Sequence, residues 1–373
     1  MADAHDRALR VLAIAGWGRC GSTLLDLMLG QLPGFVSAGE VRELWLRGCR
    51  ENRPCGCGEP FASCSFWTAV GQHAFGGWGR VDLERMLRVR YRIDRPWRIP
   101  ELSLARPRGI EAGPLADARS DLAAYLDTLD RLLRAIRDVA GASVVIDSSK
   151  LPSHNLLLQH VQGLDLRVAH LVRDSRGVAF SNLKVVTKRV TNGTPTFLPR
   201  HGAIASSLRY DLYNGLNGRL FRDQVPYLLL RYEDLVADPI GRLRDVVALA
   251  GQAEPAQFPF LSGAGVTMGE NHLVDGHPVR FNRGLQPLRA DDWQQRLPGR
   301  QRLTVTALTR PWLAGYGYPV HRSGPTRDIQ DVGPDQRLDH KDATCDVETT
   351  SVIEPAAFEG APTPHGDFRR AAP

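Results

Sequence analysis

Apolar positions along this chain follow two rhythms, and their alternation predicts the layout of the protein. Short unbroken apolar runs read as buried strands: Val11 to Ala15, Ser143 to Ile146, Leu166 to Val172 and Tyr227 to Leu230. Stretches with helical spacing lie between them. Leu24, Leu25, Leu27 and Met28 open one helix, which ends near Pro33-Gly34. Ala116 to Ala140 reads as a long amphipathic helix stopped by Gly141. Val178, Ala179, Leu183 and Val186 lay one face of a third helix on a sheet, and Asp238-Pro239 is an N-cap followed by a first helical residue. Strands interleaved with helices from residue 11 to about 320 predict an α/β fold with helices flanking a sheet.

One enlarged domain, residues 1–322, accounts for that alternation. Beyond it, residues 323–373 turn to Pro, Asp, Thr and Gly with few large apolar side chains, and read as a disordered tail. The 373 residues are 43% hydrophobic and 24% charged, enough for a substantial core. The net charge of +6 is dispersed, without a basic block or aromatic-basic repeat, which argues against a nucleic-acid partner. A basic balance also suits an enzyme that handles polyanions. No apolar stretch reaches the length of a membrane span, and Met1 to Arg10 is too polar for a signal peptide. The expected location is the cytoplasm, with reduced thiols. Oligomeric state has no signature here.

Chemistry gathers where strands end. After the first strand comes Gly16-Trp17-Gly18-Arg19-Cys20-Gly21-Ser22-Thr23-Leu24, a glycine-bearing turn that opens a helix. Such a turn cradles phosphate, because the first helical amides lack internal partners and sit at the positive end of the dipole. The ordinary triphosphate loop is G-x-x-x-x-G-K-[ST], and here serine, Ser22, stands where its lysine would be. Arg19 offers a cation three residues earlier, which favours a mononucleotide with a differently arranged anion over ATP or GTP. The second strand runs into Asp147-Ser148-Ser149-Lys150-Leu151-Pro152. The third runs into Arg173-Asp174-Ser175-Arg176, with Ser181 about two turns into the next helix. An arginine fork and a hydroxyl converging on one anion is sound phosphate chemistry. Asp174 reads as a brace for Arg173 or a helix cap, and Arg176 as a surface cation. The fourth strand leads into Arg231-Tyr232-Glu233-Asp234-Leu235, with Glu233 and Asp234 expected to pair with basic groups.

With these motifs in this order, residues 10 to 320 resemble the sulfotransferases. That family's 5′-phosphosulfate loop is commonly G-x-x-R-S-G-S/T-T-x-L and its 3′-phosphate signature R-D-P/G-R followed by A-x-x-S; its bacterial relatives carry D-S-S-K-x-P, and Y-E-D-L-x-x-D-P also belongs to the family. The resemblance, to the bacterial branch similar to carbohydrate and tyrosylprotein types, implies a P-loop-like three-layer fold with a central parallel sheet. It implies 3′-phosphoadenosine-5′-phosphosulfate (PAPS) as donor, and as acceptor a hydroxyl of a small molecule, glycolipid or saccharide. Residue by residue, it nominates Arg19, Cys20, Gly21, Ser22, Thr23 and Leu24 for the 5′ end, and Arg173 and Ser181 for the 3′-phosphate. The resemblance also implies that Lys150, with Arg19, stabilises the transition state. Glu40, in Gly39-Glu40, is the candidate base, against the bland reading of a salt bridge to an arginine such as Arg42. His170 and His272 are rivals, although His170 reads as a satisfied core histidine. Cys20 departs from the usual serine and offers a weaker donor. Near His277-Pro278-Val279-Arg280-Phe281 the family often has a basic clamp, for which Arg280 and Arg283 stand. The family needs no metal for the reaction.

Four of the six cysteines fall together in an insertion spanning about residues 45–70, as Cys49, Cys55, Cys57 and Cys64. Their C-x5-C-x-C-G-x5-C spacing is compatible with structural zinc, two local disulfides or free thiols. A C-x-C-G-x-P-F-x-x-C-x-F-W block occurs in relatives as a recurring module. Trp78, Trp97 and Arg95 lie in a segment that could cover an acceptor or merely pack; Trp312 and Tyr316 are expected to pack. Two other functions fit the loop less well: a nucleotide kinase or NTPase, which would want the missing lysine, and a nucleotide-binding protein without turnover.

Overall fold

A computed structural model describes residues 9–104, 119–184, 187–188, 196–198, 200–255 and 257–320. The stretch from 323, expected to be a tail, lies outside the described residues. The predicted strands are all present and form one parallel sheet: β1 (Leu9–Ala15), β2 (Phe35–Ser37), β3 (Val144–Lys150), β4 (Leu164–Val172) and β5 (Tyr227–Arg231), in the order β2-β3-β1-β4-β5. Val11 of β1 sits between Val145 of β3 and Leu166 of β4, which fixes the central register. The three-residue β2 is not foreshadowed by any long apolar run.

Helices cover both faces: α1 (Ser22–Leu29), α2 (Ser65–Phe75), α3 (Leu83–Ile93), α4 (Ile99–Leu104), α5 (Arg119–Ala140), α6 (Pro152–His160), α7 (Ser175–Leu183), α8 (Ala203–Phe221), α9 (Tyr232–Ala237) and α10 (Pro239–Leu249). Alternation along β1 explains why both faces need cover. Val11 and Ala13 enter one core with Leu129, Leu133 and Ile136 of α5 and Leu157 of α6. Leu12 and Ile14 enter the other, with Leu25 and Leu29 of α1 and Leu243 and Val246 of α10. At roughly 1.5–3 kcal/mol per fully buried large aliphatic side chain, these two layers dominate the stability of the sheet.

Local punctuation follows the chemistry expected of it. Gly141, at φ +60°, ends α5 in the left-handed conformation that glycine adopts freely. Asp174 caps α7 through the Arg176 amide at 2.9 Å, and Asp238 caps α10 through the Gly241 amide at 2.9 Å, with Pro239 opening the helix. The chain leaving β1 turns through α1 towards β2 on one side, and the chain leaving β4 turns through α7 towards the other. That divergence opens a crevice outside the carboxyl ends of the strands, where ligands of open α/β sheets bind. No helix among the described residues is long and apolar enough to cross a membrane.

Candidate active site

The glycine loop needs its glycines for two separate reasons. A Cβ on Gly16, at φ +143°, would lie 2.4 Å from the Leu171 carbonyl oxygen of β4. One on Gly21, at φ +100°, would lie 2.4 Å from the Tyr232 ring. Between them Arg19 holds φ +69°, a conformation that costs a non-glycine residue about 1–2 kcal/mol. Its guanidinium lines the crevice, where Nη1 and Nη2 are buried with no hydrogen-bond partner among the described residues. Burial lowers its pKa. Lys150, at the end of β3, lines the same cavity as Arg19.

Glu40 and Lys150 meet because their strands are neighbours. β2 pairs with β3, and the next residues stay in register: the Ala38 amide bonds the Ile146 carbonyl at 3.1 Å and the Ser148 amide bonds the Gly39 carbonyl at 2.8 Å. Gly39, at φ +76°, then turns the chain so that Glu40 faces Lys150. Lys150 Nζ donates to Glu40 Oε1 at 2.6 Å and to the Ser148 carbonyl at 2.8 Å. Arg42, the alternative partner for Glu40, is engaged instead with Asp94 at 2.5 Å and Glu43 at 2.6 Å. Burial pushes the Glu40 carboxyl above the usual carboxylate range, with Lys150 drawing it back and Asp275 adding to the rise. Burial works against the Lys150 charge, but the Glu40 carboxylate outweighs it and the lysine pKa is raised.

A third strand end supplies another cation. Arg173 follows β4; its Nη1 donates to the Arg19 carbonyl at 3.4 Å, its guanidinium lies 4.4 Å from the Tyr232 ring centroid, and its Nε is buried without a partner. One cavity of about 490 Å³ brings together Arg19, Gly21, Ser22, Thr23, Leu24, Glu40, Lys150, Arg173 and Ser181. That volume suits a nucleotide-sized ligand. Thr23 also accepts the His277 amide at 3.2 Å, which draws the segment Asp275–His277 into the wall.

Other expected residues lie elsewhere. Cys20 is 2% exposed in the core beneath the loop, where burial raises its pKa, and does not line the cavity. Arg280 is 4% exposed and donates to the carbonyls of Leu273 and Pro54 at 2.8 and 2.9 Å. Arg283 donates to the Arg280 carbonyl at 2.8 Å and also to the carbonyl of Gly56. Both therefore face the cysteine module, outside the cavity lining. Arg176 is no surface cation: it is buried, paired with Asp174 at 2.6 Å and with the Pro319 carbonyl at 3.0 Å. Asp174 accordingly braces Arg176, not Arg173. Glu233 accepts the Asp174 amide and the Tyr318 hydroxyl, with the Arg173 charge nearby, and Asp234 pairs with Arg231 at 3.8 Å.

His170 is a satisfied core histidine, bonded to the Tyr227 hydroxyl at 2.6 Å and Asn214 at 3.1 Å; burial pulls its pKa down to about 4. His272 sits among three cysteines. Trp78 packs against Trp45, Phe61 and Phe75, whereas Trp97 is exposed beside Arg95; neither lines the cavity. Trp312 and Tyr316 pack on one another, with ring centroids 5.8 Å apart. Unforeseen members of the cavity include Trp17, stacked on Tyr213 at 4.7 Å, and Tyr232 under Arg173. Asp26 of α1 is equally unforeseen: fully buried, it accepts the Ser148 hydroxyl at 2.7 Å, and burial raises its pKa to about 7. From sequence the run Arg231-Tyr232 reads as fold evidence alone; a ring at a strand's carboxyl end is the available signal.

No protein-family model and no curated protein matches this chain. Among solved structures it is similar to the sulfotransferase domain of the Synechococcus PCC 7002 olefin synthase, at 19% identity over 84% of this chain and 97% of that one, with TM-score 0.44. The sulfotransferase domain of the curacin biosynthetic pathway matches at 14% identity over 83% and 97%, with TM-score 0.44. A sulfotransferase from Mycobacterium avium matches at 14% identity over 84% and 78%, with TM-score 0.40. All three are sulfotransferases.

Proposed function

We propose that this protein transfers the sulfuryl group of PAPS to a hydroxyl of a small molecule, glycolipid or saccharide. The observation that carries the reading is a convergence in one cavity: a carboxylate and a lysine 2.6 Å apart beside buried guanidinium nitrogens of Arg19 and Arg173 that have no partner. An unsatisfied buried donor costs about 1–3 kcal/mol, and a bound anion removes that cost. The donor set fits a nucleotide with anions at two ends. The loop with Arg19, Ser22 and Thr23 takes the 5′ side, and Arg173 with Ser181 takes a 3′-phosphate.

The bound nucleotide supplies the sulfuryl group and a phosphate leaving group. Glu40 Oε1 accepts from Lys150, and the second carboxylate oxygen is the one assigned to take the acceptor's proton. A carboxylate whose pKa burial has raised is a better base than an ordinary one. Lys150 spends two of its three donors on Glu40 and the Ser148 carbonyl, which leaves one for charge developing on the transferred group. Arg19 adds a second cation in the same cavity. In balance, the acceptor oxygen bonds sulfur, the sulfur–phosphate oxygen bond breaks, and the acceptor proton passes to Glu40.

A radiolabelled sulfuryl donor offered with a panel of hydroxyl acceptors tests this. Glu40→Gln is expected to lower transfer by about 10²–10⁴-fold while nucleotide affinity stays within a few-fold of wild type. Undiminished transfer by the variant would remove Glu40 as base, and absence of transfer to every acceptor beside ATP turnover would favour the kinase reading.

A further inference from the structure

Three cysteines and one histidine from distant parts of the chain meet beside the cavity wall. The Sγ atoms of Cys55, Cys57 and Cys64 and a ring nitrogen of His272 all lie within 4.8 Å of one another. Cys64 Sγ is 3.5 Å from Cys55 Sγ and 3.7 Å from Cys57 Sγ, and His272 Nδ1 is 3.4 Å from Cys64 and 3.6 Å from Cys55. Tetrahedral zinc with ordinary bond lengths sets S···S edges of about 3.8 Å and S···N edges of about 3.5 Å. We propose that Cys55, Cys57, Cys64 and His272 form a structural zinc site that fixes the wall carrying Asp275, Gly276 and His277. Cys49, the fourth cysteine of the sequence cluster, stands outside it as an ordinary thiol.

The surroundings are built for metal-bound thiolates. Cys55-Gly56-Cys57-Gly58 is a tight knuckle: the Gly58 amide bonds the Cys55 carbonyl at 2.9 Å, and Gly58 sits at φ +104°. Cys64 is the N-cap of α2, at the positive end of that helix dipole. The His272 ring stacks on Phe66 at 4.8 Å, and its carbonyl accepts Trp67 Nε1 at 2.9 Å, so the ligand is oriented from two sides. Three thiolates, one neutral imidazole and a divalent cation leave one negative charge. Arg280 and Arg283, bonded to the carbonyls of Pro54 and Gly56, stand where they offset it. That gives the two arginines a purpose that a phosphate clamp did not.

The site also stitches two segments together. The Gly56 amide bonds the Leu273 carbonyl at 3.0 Å, and the Val274 amide bonds the Ala38 carbonyl at 3.2 Å, two residues before Glu40. The chain then enters the cavity at Asp275. The proposal does not depend on which group the enzyme transfers. Its test is the metal content of the full chain purified without chelator, with the cobalt-substituted protein as a second readout. We expect one zinc per chain, a thiolate-to-cobalt charge-transfer band and the intense visible bands of tetrahedral cobalt. Cys49→Ser should keep both. His272→Ala should weaken zinc by at least about tenfold and shift the cobalt spectrum. Clearly substoichiometric zinc in the wild type, a disulfide among Cys55, Cys57 and Cys64, or an unchanged cobalt spectrum in His272→Ala would overturn it. Should that variant fail to fold, the wild-type metal content and spectrum still decide.

Discussion

Asp26 shows how a single side chain ties stability to pH in this fold. Its carboxyl is fully buried under α1, and its pKa rises from an ordinary 3.8 to about 7. The folded protein therefore holds this proton more tightly than the unfolded chain. Below about pH 4 both states are protonated and nothing is lost; as pH climbs towards 7 the unfolded chain ionises first, and stability falls. A carboxamide at this position cannot ionise, so Asp26→Asn should gain on the wild type as pH rises, by up to roughly 4 kcal/mol at pH 8, where the gain is nearly complete. Denaturant melts at pH 4, 6 and 8 read this directly; a difference that does not grow with pH would contradict it. The sequence hides Asp26 because a carboxylate in an apolar helix run looks like a solvent-facing residue. Only the packing of α1 on β3, which brings Ser148 to it, shows otherwise. Arg19 and Arg173 are legible because each sits just after a strand, where the fold itself points residues into the crevice.

At the scale of elements, the glycine loop separates positions that need glycine from one that does not. Gly16→Ala places a methyl group against the Leu171 carbonyl at a positive φ, whereas at Gly18 an added Cβ meets nothing within 4 Å. Gly16→Ala should cost about 1–3 kcal/mol or more and weaken nucleotide binding, and Gly18→Ala should do neither to a measurable degree. Thermal melts with and without nucleotide distinguish them; equal behaviour of the two variants would mean the loop is more plastic than its contacts require. The strand–loop–helix unit is legible because its signal is local: an apolar run, glycines at turning points, then helical spacing. β2 escapes notice because three residues carry too little pattern. The place of His272 is hidden because its partner Cys64 lies 208 residues away in sequence, and no local rhythm reports a contact of that range. Arg176 looks superficial for the same reason, since the Pro319 carbonyl that covers it is 143 residues distant.

For the molecule as a whole, neighbouring parallel strands deliver the chemistry to one rim. β2 leads to Glu40, β3 ends in Lys150 and β4 leads to Arg173, while β1 feeds the loop with Arg19. The sheet is thus what sets the distances among Glu40, Lys150, Arg19 and Arg173, and the two apolar layers that hold the sheet also hold the cavity. The class of fold follows from alternating apolar rhythms. The cavity's rear wall, built from Trp17, Tyr232 and the Asp275–His277 segment, does not, because it assembles only on folding. The central claim is a cavity that reads a nucleotide by its 3′-phosphate. Calorimetric titration of adenosine 3′,5′-bisphosphate, ADP and ATP into the wild type and Arg173→Ala tests it most directly. The bisphosphate is expected to bind at least about tenfold more tightly than ADP or ATP, and Arg173→Ala to lose about 1.5–3 kcal/mol of that affinity. Equal binding of ADP and the bisphosphate, or tighter binding of ATP, would contradict it.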